Sequence, residues 1–95
     1  MHSFFRFGSD YRLEVELEVL LDYQLGRLAD LVQVLARSGA LITDLNPDWP
    51  RYALGMREAS ARVRIRVRNL HHRDHVFEAL RGQGFRFDVV SERGI

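Results

Sequence analysis

The sequence predicts an α+β fold of the ferredoxin-like kind: a βαββαβ sandwich with a four-stranded antiparallel sheet and two helices on one face. Three observations lead there. Segments 12–20 and 61–68 alternate strictly between apolar and charged residues, which gives a strand one buried face. Segments 26–37 and 72–82 carry apolar residues at helical spacing. The order of these segments along the 95-residue chain is strand, helix, strand, strand, helix, strand.

Each element follows from its residues. In 12–20, Leu13, Val15, Leu17 and Val19 point one way, and Arg12, Glu14, Glu16 and Glu18 the other. In 26–37, Leu28, Leu31, Val32 and Leu35 form the stripe, and Ser38-Gly39 is a helix stop. Segment 40–46 is a short second strand. Both prolines and the single Trp fall between Asn46 and Ser60, a long connection. In 61–68, Ala61, Val63, Ile65 and Val67 share a face. The second helix, 72–82, turns Val76, Phe77 and Leu80 inward, and Gly82 and Gly84 end it. The fourth strand is expected at 85–90, with Phe85, Phe87 and Val89 on one face.

The first and third strands are central neighbours in this topology. Their outward faces then set Glu14, Glu16 and Glu18 beside Arg62, Arg64, Arg66 and Arg68, a self-pairing solvated face that fixes the register.

Composition narrows the function. At 95 residues the chain is one domain, 1–95, with residues 1–10 as an aromatic N-terminal extension carrying Phe4, Phe5 and Phe7. Cysteine is absent, which excludes disulfides, thiolate metal sites and cysteine nucleophiles. The net charge of +1 gives no bulk attraction to nucleic acid or acidic lipid. All 14 basic residues are arginine, which reads as genome composition, because 13 acidic residues nearly match them. No apolar run reaches membrane-spanning length, and the first ten residues lack a signal-peptide pattern, so a cytoplasmic location is expected.

Several chemistries are not supported. An RNA reader of this fold stacks bases on outward aromatics of its central strands, where this chain has Glu and Arg. The segment Leu21 to Arg27 has one glycine and an opposing Asp22, unlike a glycine-rich phosphate loop. No Ser-His-Asp constellation or paired acid is recognisable, so a non-catalytic chain without cofactor is expected. His71, His72 and His75 cluster at helical spacing, but no further ligand completes a metal set, and the plainer reading is a polar helix start with His72 partly buried.

The turn from the first strand to the first helix is the most informative segment. Asp22 and Gly26 bracket it. Backbone N–H groups at the helix start favour a carboxylate, and Asp22 can accept from an ammonium group. Together they suit an amino-acid zwitterion; the plainer reading is that Asp22 caps the helix and Gly26 permits the turn.

From Tyr11 to about Val90 the sequence resembles an ACT domain, the amino-acid-sensing regulatory module of metabolic enzymes. The likeness rests on a strand ending in Asp22, on Gly26-Arg27-Leu28-Ala29, and on Ser38-Gly39-Ala40 before Ile42-Thr43-Asp44-Leu45-Asn46. The second half is similar to the version at the C-terminus of threonine dehydratases, through Leu54-Gly55-Met56-Arg57-Glu58-Ala59, His75 and Leu80-Arg81-Gly82-Gln83-Gly84-Phe85. The family turn reads Asp-x-Pro-Gly; here Asp22-Tyr23-Gln24-Leu25-Gly26 has one residue more and no proline.

The resemblance implies a small effector, an amino acid by family habit, held between subunits of a homodimer. Asp22, Gln24, Leu25, Gly26 and Arg27 of one subunit would face Ile42, Asp44 and Asn46 of the other. The second strand is an edge whose only charge in 40–45 is Asp44, which invites side-by-side pairing. A module that only dimerises or docks is the other reading, as a regulatory tail of an enzyme or transporter. The pyridoxal-phosphate catalytic domain of a dehydratase is absent from this sequence.

Overall fold

A computed structural model describes residues 11–21, 25–48 and 59–95. It contains β1 (Leu13–Leu20), α1 (Leu25–Arg37), β2 (Leu41–Asp48), β3 (Ser60–Val67), α2 (Leu70–Gly82) and β4 (Phe87–Gly94). The strands form one antiparallel sheet in the order β2-β3-β1-β4. This is the ferredoxin-like arrangement. The aromatic extension and most of the long connection, 49–58, lie outside the described residues, as do Asp22, Tyr23 and Gln24. Among the described residues no helix is long and apolar enough to cross a membrane.

The core follows from the alternation. Val15, Leu17 and Val19 of β1 and Ala61, Val63, Ile65 and Val67 of β3 are fully buried. Leu31 and Leu35 of α1 and Val76, Phe77 and Leu80 of α2 close over them. Val32 of the expected α1 stripe is only half-buried, and Val34 packs on the core instead.

β1 and β3 pair without a slip, Glu14 opposite Arg66, Glu16 opposite Arg64 and Glu18 opposite Arg62. The other two pairings each contain a bulge. Between β2 and β3, Ile42 faces Ile65 and Asp44 faces Arg64, so Thr43 is the extra residue. Between β1 and β4, Leu17 faces Val89 and Glu16 faces Ser91, so Val90 is extra. The fourth strand therefore starts and ends later than the alternation suggests. Phe85 is buried ahead of the strand, and Val89 on the edge is exposed.

Both helices stop by the same mechanism. Gly39 and Gly84 adopt φ of +84° and +81°. In α1, Ala40 N–H donates to Leu35 O and Gly39 N–H to Ala36 O; in α2, Phe85 N–H donates to Leu80 O and Gly84 N–H to Arg81 O. This paired closure satisfies the last carbonyls of each helix. The α1 stop is clasped further. Tyr11 Oη donates to Gly39 O, and His72 Nε2 lies 2.8 Å from Ser38 O. Nδ1 of the same ring accepts from Arg68 N–H, so Nε2 carries the proton and donates to the carbonyl.

Substituting each glycine with alanine separates conformation from contact. Both changes force an L-residue into the left-handed region, at about 1–2 kcal/mol. A Cβ at position 39 also meets His72 Nε2 at 3.3 Å, whereas at 84 the nearest atom is Arg27 Nη2 at 3.9 Å. In urea denaturation Gly39→Ala is expected to lose more stability than Gly84→Ala, by about a further 0.5–1 kcal/mol as the His72 hydrogen bond shifts.

Candidate functional site

The last residue of β1, Leu20, pairs with Ser60, which pairs with Asp48. The start of α1, five residues after Leu20, therefore lies at the end of the sheet where β2 finishes. Gly26 is exposed there, and a Cβ built on it meets nothing within 4 Å. Gly26 has no positive φ, so open space rather than backbone strain marks the position. Leu25 begins the helix; its side chain lies outside the described residues.

Arg27 is turned within the chain. Its guanidinium sits 3.8 Å from the centroid of the Phe85 ring, and Nη2 donates to Gln83 O at 3.4 Å. Nη1 lies 3.8 Å from Asp30. Its side chain is only 20% exposed, so Arg27 works as a bracket from the first turn of α1 to the α2–β4 turn. Nothing local to Arg27 marks Phe85 or Gln83 as its partners, beyond their place on either side of the Gly84 helix stop.

The three β2 residues of the expected site do not share a face. Ile42 is half-buried against the core on the helix side. Asp44 and Asn46, past the Thr43 bulge, are exposed on the helix-free face opposite Arg64 and Arg62. Asn46 Nδ2 donates to Asp44 Oδ2 at 3.1 Å. β2 is an edge strand, but a better guarded one than its sequence suggests: it continues through Pro47 and Asp48 and carries the bulge.

The helix-free face is a lattice of ion pairs. Arg62 reaches Glu16 and Glu18 at 3.5 and 3.6 Å, and Arg64 reaches Glu14 at 3.2 Å. Arg93 of β4 approaches the other oxygen of Glu14 at 3.3 Å, and Glu14 is left only 7% exposed. The face pairs itself as expected, and Glu14 alone of its acidic row is buried, because arginines of both neighbouring strands fold over it. Arg66 Nε is buried without a hydrogen-bond acceptor.

On the helix side, the Val90 bulge turns Glu92 toward α2, where Arg73 grips it with one nitrogen at 2.9 and 3.0 Å from its two oxygens. Hydrogen bonds to Asp74 and then Glu92 hold the Arg73 guanidinium further above its ordinary pKa.

The histidines do not assemble a metal site. Both ring nitrogens of His72 are engaged by backbone groups, and His75 stacks on it with centroids 6.5 Å apart. Among the described residues no group of three or more His, Cys, Asp or Glu side chains is placed to hold a metal ion.

No family model matches the chain, and no curated protein matches it in sequence. Solved structures share its fold. A prephenate dehydratase from Streptococcus mutans superimposes with a TM-score of 0.72 at 18% identity, over 86% of this chain and 43% of that one. The ACT domain of prephenate dehydrogenase from Bacillus anthracis gives 0.53 at 25% identity, over 77% of this chain and 99% of the domain. The ligand-free regulatory subunit of aspartate kinase from Thermus thermophilus gives 0.55 at 18%, over 87% of this chain and half of the subunit. The chain thus spans under half of the dehydratase and nearly all of the isolated domain. It has an ACT-like fold. The threonine dehydratase likeness is a feature of the sequence only.

The Arg27 bracket predicts a contrast. Arg27→Ala is expected to lower unfolding stability by about 1 kcal/mol through the lost ring contact and packing. Arg37→Ala, on the exposed last turn of α1, stays within about 0.5 kcal/mol of the unaltered protein. Denaturation midpoints at constant slope measure both.

Proposed function

We propose that the chain is a non-catalytic regulatory domain that binds an amino acid or a similar small effector at a homodimer interface. The observation that carries this reading is spatial. An unfilled helix start at Gly26 lies at the same end of the sheet as the exposed Asp44–Asn46 pair of an edge strand. Two copies set edge to edge along β2 about a two-fold axis parallel to the strands keep the same end and reverse their faces, which brings the α1 start of each toward Asn46 of the other. Backbone N–H groups of the first helical turn suit the effector's carboxylate. Asp44 and Asn46 supply acceptors for its ammonium, and Asn46 also a donor. Asp22, Gln24 and Leu25 complete the turn side of the site. The likeness to an ACT domain and to a kinase regulatory subunit supports a regulatory role.

A thermal-shift screen of the twenty amino acids tests the reading. An effector that binds only the dimer raises its stability by about 2.7 kcal/mol at a hundredfold excess over Kd. Asn46→Ala is expected to abolish the shift while leaving the unliganded melting temperature nearly unchanged, because Asn46 is exposed. A screen in which none of the twenty shifts melting at millimolar concentration contradicts effector binding.

A second reading, an assembly module without ligand, draws on one observation. Arg27, expected at the effector, is already committed to Phe85 and Gln83. Sedimentation velocity with and without the screened amino acids separates the two. The effector reading predicts a dimer that tightens with ligand; a dimer indifferent to all of them favours assembly alone, and a monomer throughout contradicts both. Ile42→Lys is a poor probe of the interface, since Ile42 packs on the core and a charge there unsettles the fold as well. Asp44→Lys, at an exposed position of the same edge, is expected to weaken the dimer and leave the fold intact.

A further inference from the structure

We propose that the groove between α1 and α2 is a second small-molecule site, for a molecule with a carboxylate at one end and an ammonium at the other. The groove encloses about 410 Å³ and is open to solvent. That volume is within the range of small-ligand clefts. One wall is Asp30, Val34 and Arg37 of α1; the other is His75, Ala79 and Gly82 of α2. Each set is spaced i, i+4, i+7, so each lies along one helical stripe.

The helices run antiparallel, with the end of α1 joined to the start of α2 through His72 and Ser38 O, and the start of α1 joined to the end of α2 through Arg27 and Gln83 O. The charges are therefore sorted along the groove. Arg37 and His75 stand at one end, Asp30 and Gly82 at the other, and Val34 and Ala79 form an apolar middle. Among the described residues Arg37 has no ion-pair partner. Asp30 has only a long contact of 3.8 Å to Arg27. An arginine and an aspartate are thus both available to a ligand that carries the opposite charges.

Gly82 adds an independent observation. Among the described residues only Gly39 and Gly84 adopt positive φ, so the backbone does not require glycine at 82. A Cβ there meets nothing within 4 Å. Gly82 is the last residue of α2, and its absent side chain leaves the acidic end of the groove open. Asp30 and Arg37 are seven positions apart, roughly 10 Å along the axis. Long side chains on a helix turn toward its start, which for Arg37 shortens the gap to one that a short ω-amino carboxylate or the length of a lysine bridges.

The site lies within one chain, so its test is independent of the β2 interface. The ¹⁵N-labelled full chain is titrated with γ-aminobutyrate, δ-aminovalerate, ε-aminohexanoate and L-lysine, and with butyrate and inorganic phosphate as one-ended controls. At least one two-ended probe is expected to shift the amides of Val34, Ala79 and Gly82 saturably, without moving Gly26 or Asn46. Arg37→Gln and Asp30→Asn should each weaken it about tenfold or more. Gly82→Leu should abolish it and leave the remaining spectrum in place, since position 82 is exposed. Equal shifts from butyrate or phosphate would mean a simple anion site and overturn the two-ended ligand. Absence of shifts from every probe, or shifts that survive Gly82→Leu, overturns the site itself.

Discussion

The slip-free pairing of β1 with β3 is the constraint on which the rest of the structure depends. Both strands alternate apolar and charged residues with a period of two, so only one parity of register buries the apolar set. The apolar face then collects α1 and α2, and the charged face carries the Glu and Arg rows. Each exposed ion pair contributes little by itself. Their larger effect is negative: a one-residue slip of either strand would drive its own charged row, the three glutamates of β1 or the three arginines of β3, toward the helices. With the central pair fixed, β2 and β4 can only be edges, and the α1 start can only stand at the end of the sheet where β2 finishes.

The edges deviate from that regularity where their side chains require it. Ile42 and Leu45 are three positions apart, yet both pack on the core. A regular strand cannot turn two such residues the same way. The Thr43 bulge can, and it keeps Asp44 out of the apolar layer. On β4 the Val90 bulge places Glu92 toward Arg73 of α2 and Arg93 toward Glu14 on the opposite face. Both bulges also interrupt edges that are open to pairing, as do Pro47 and Asp48 on β2.

What could be read from the sequence follows the strength of each periodic signal. β1, β3 and the two helix stops were legible because strict alternation and a glycine after an apolar stripe admit few alternatives. The start of β4 was not, since Phe85, Phe87 and Val89 alternate well although Phe85 belongs to the close of the α2 stop. The candidate site was read with a regular β2, which sets Ile42, Asp44 and Asn46 side by side; the spacing of Ile42 and Leu45 held the sign that they separate. Arg27 escaped for a different reason. Its partners Gln83 and Phe85 are remote in sequence, and nothing local to the first helix announces them. Asp22 and Gln24 lie outside the described residues, so their place in the site rests on the family likeness.

The central claim is that β2, and not β4, is the edge through which two copies meet to build the effector site. Hydrogen exchange of the backbone amides, followed from dilute to concentrated protein, tests it directly. The account predicts protection that grows with concentration across Leu41–Asp48 and at the α1 start, with Phe87–Gly94 unchanged. Protection that grows along Phe87–Gly94 while Leu41–Asp48 stays constant would contradict it.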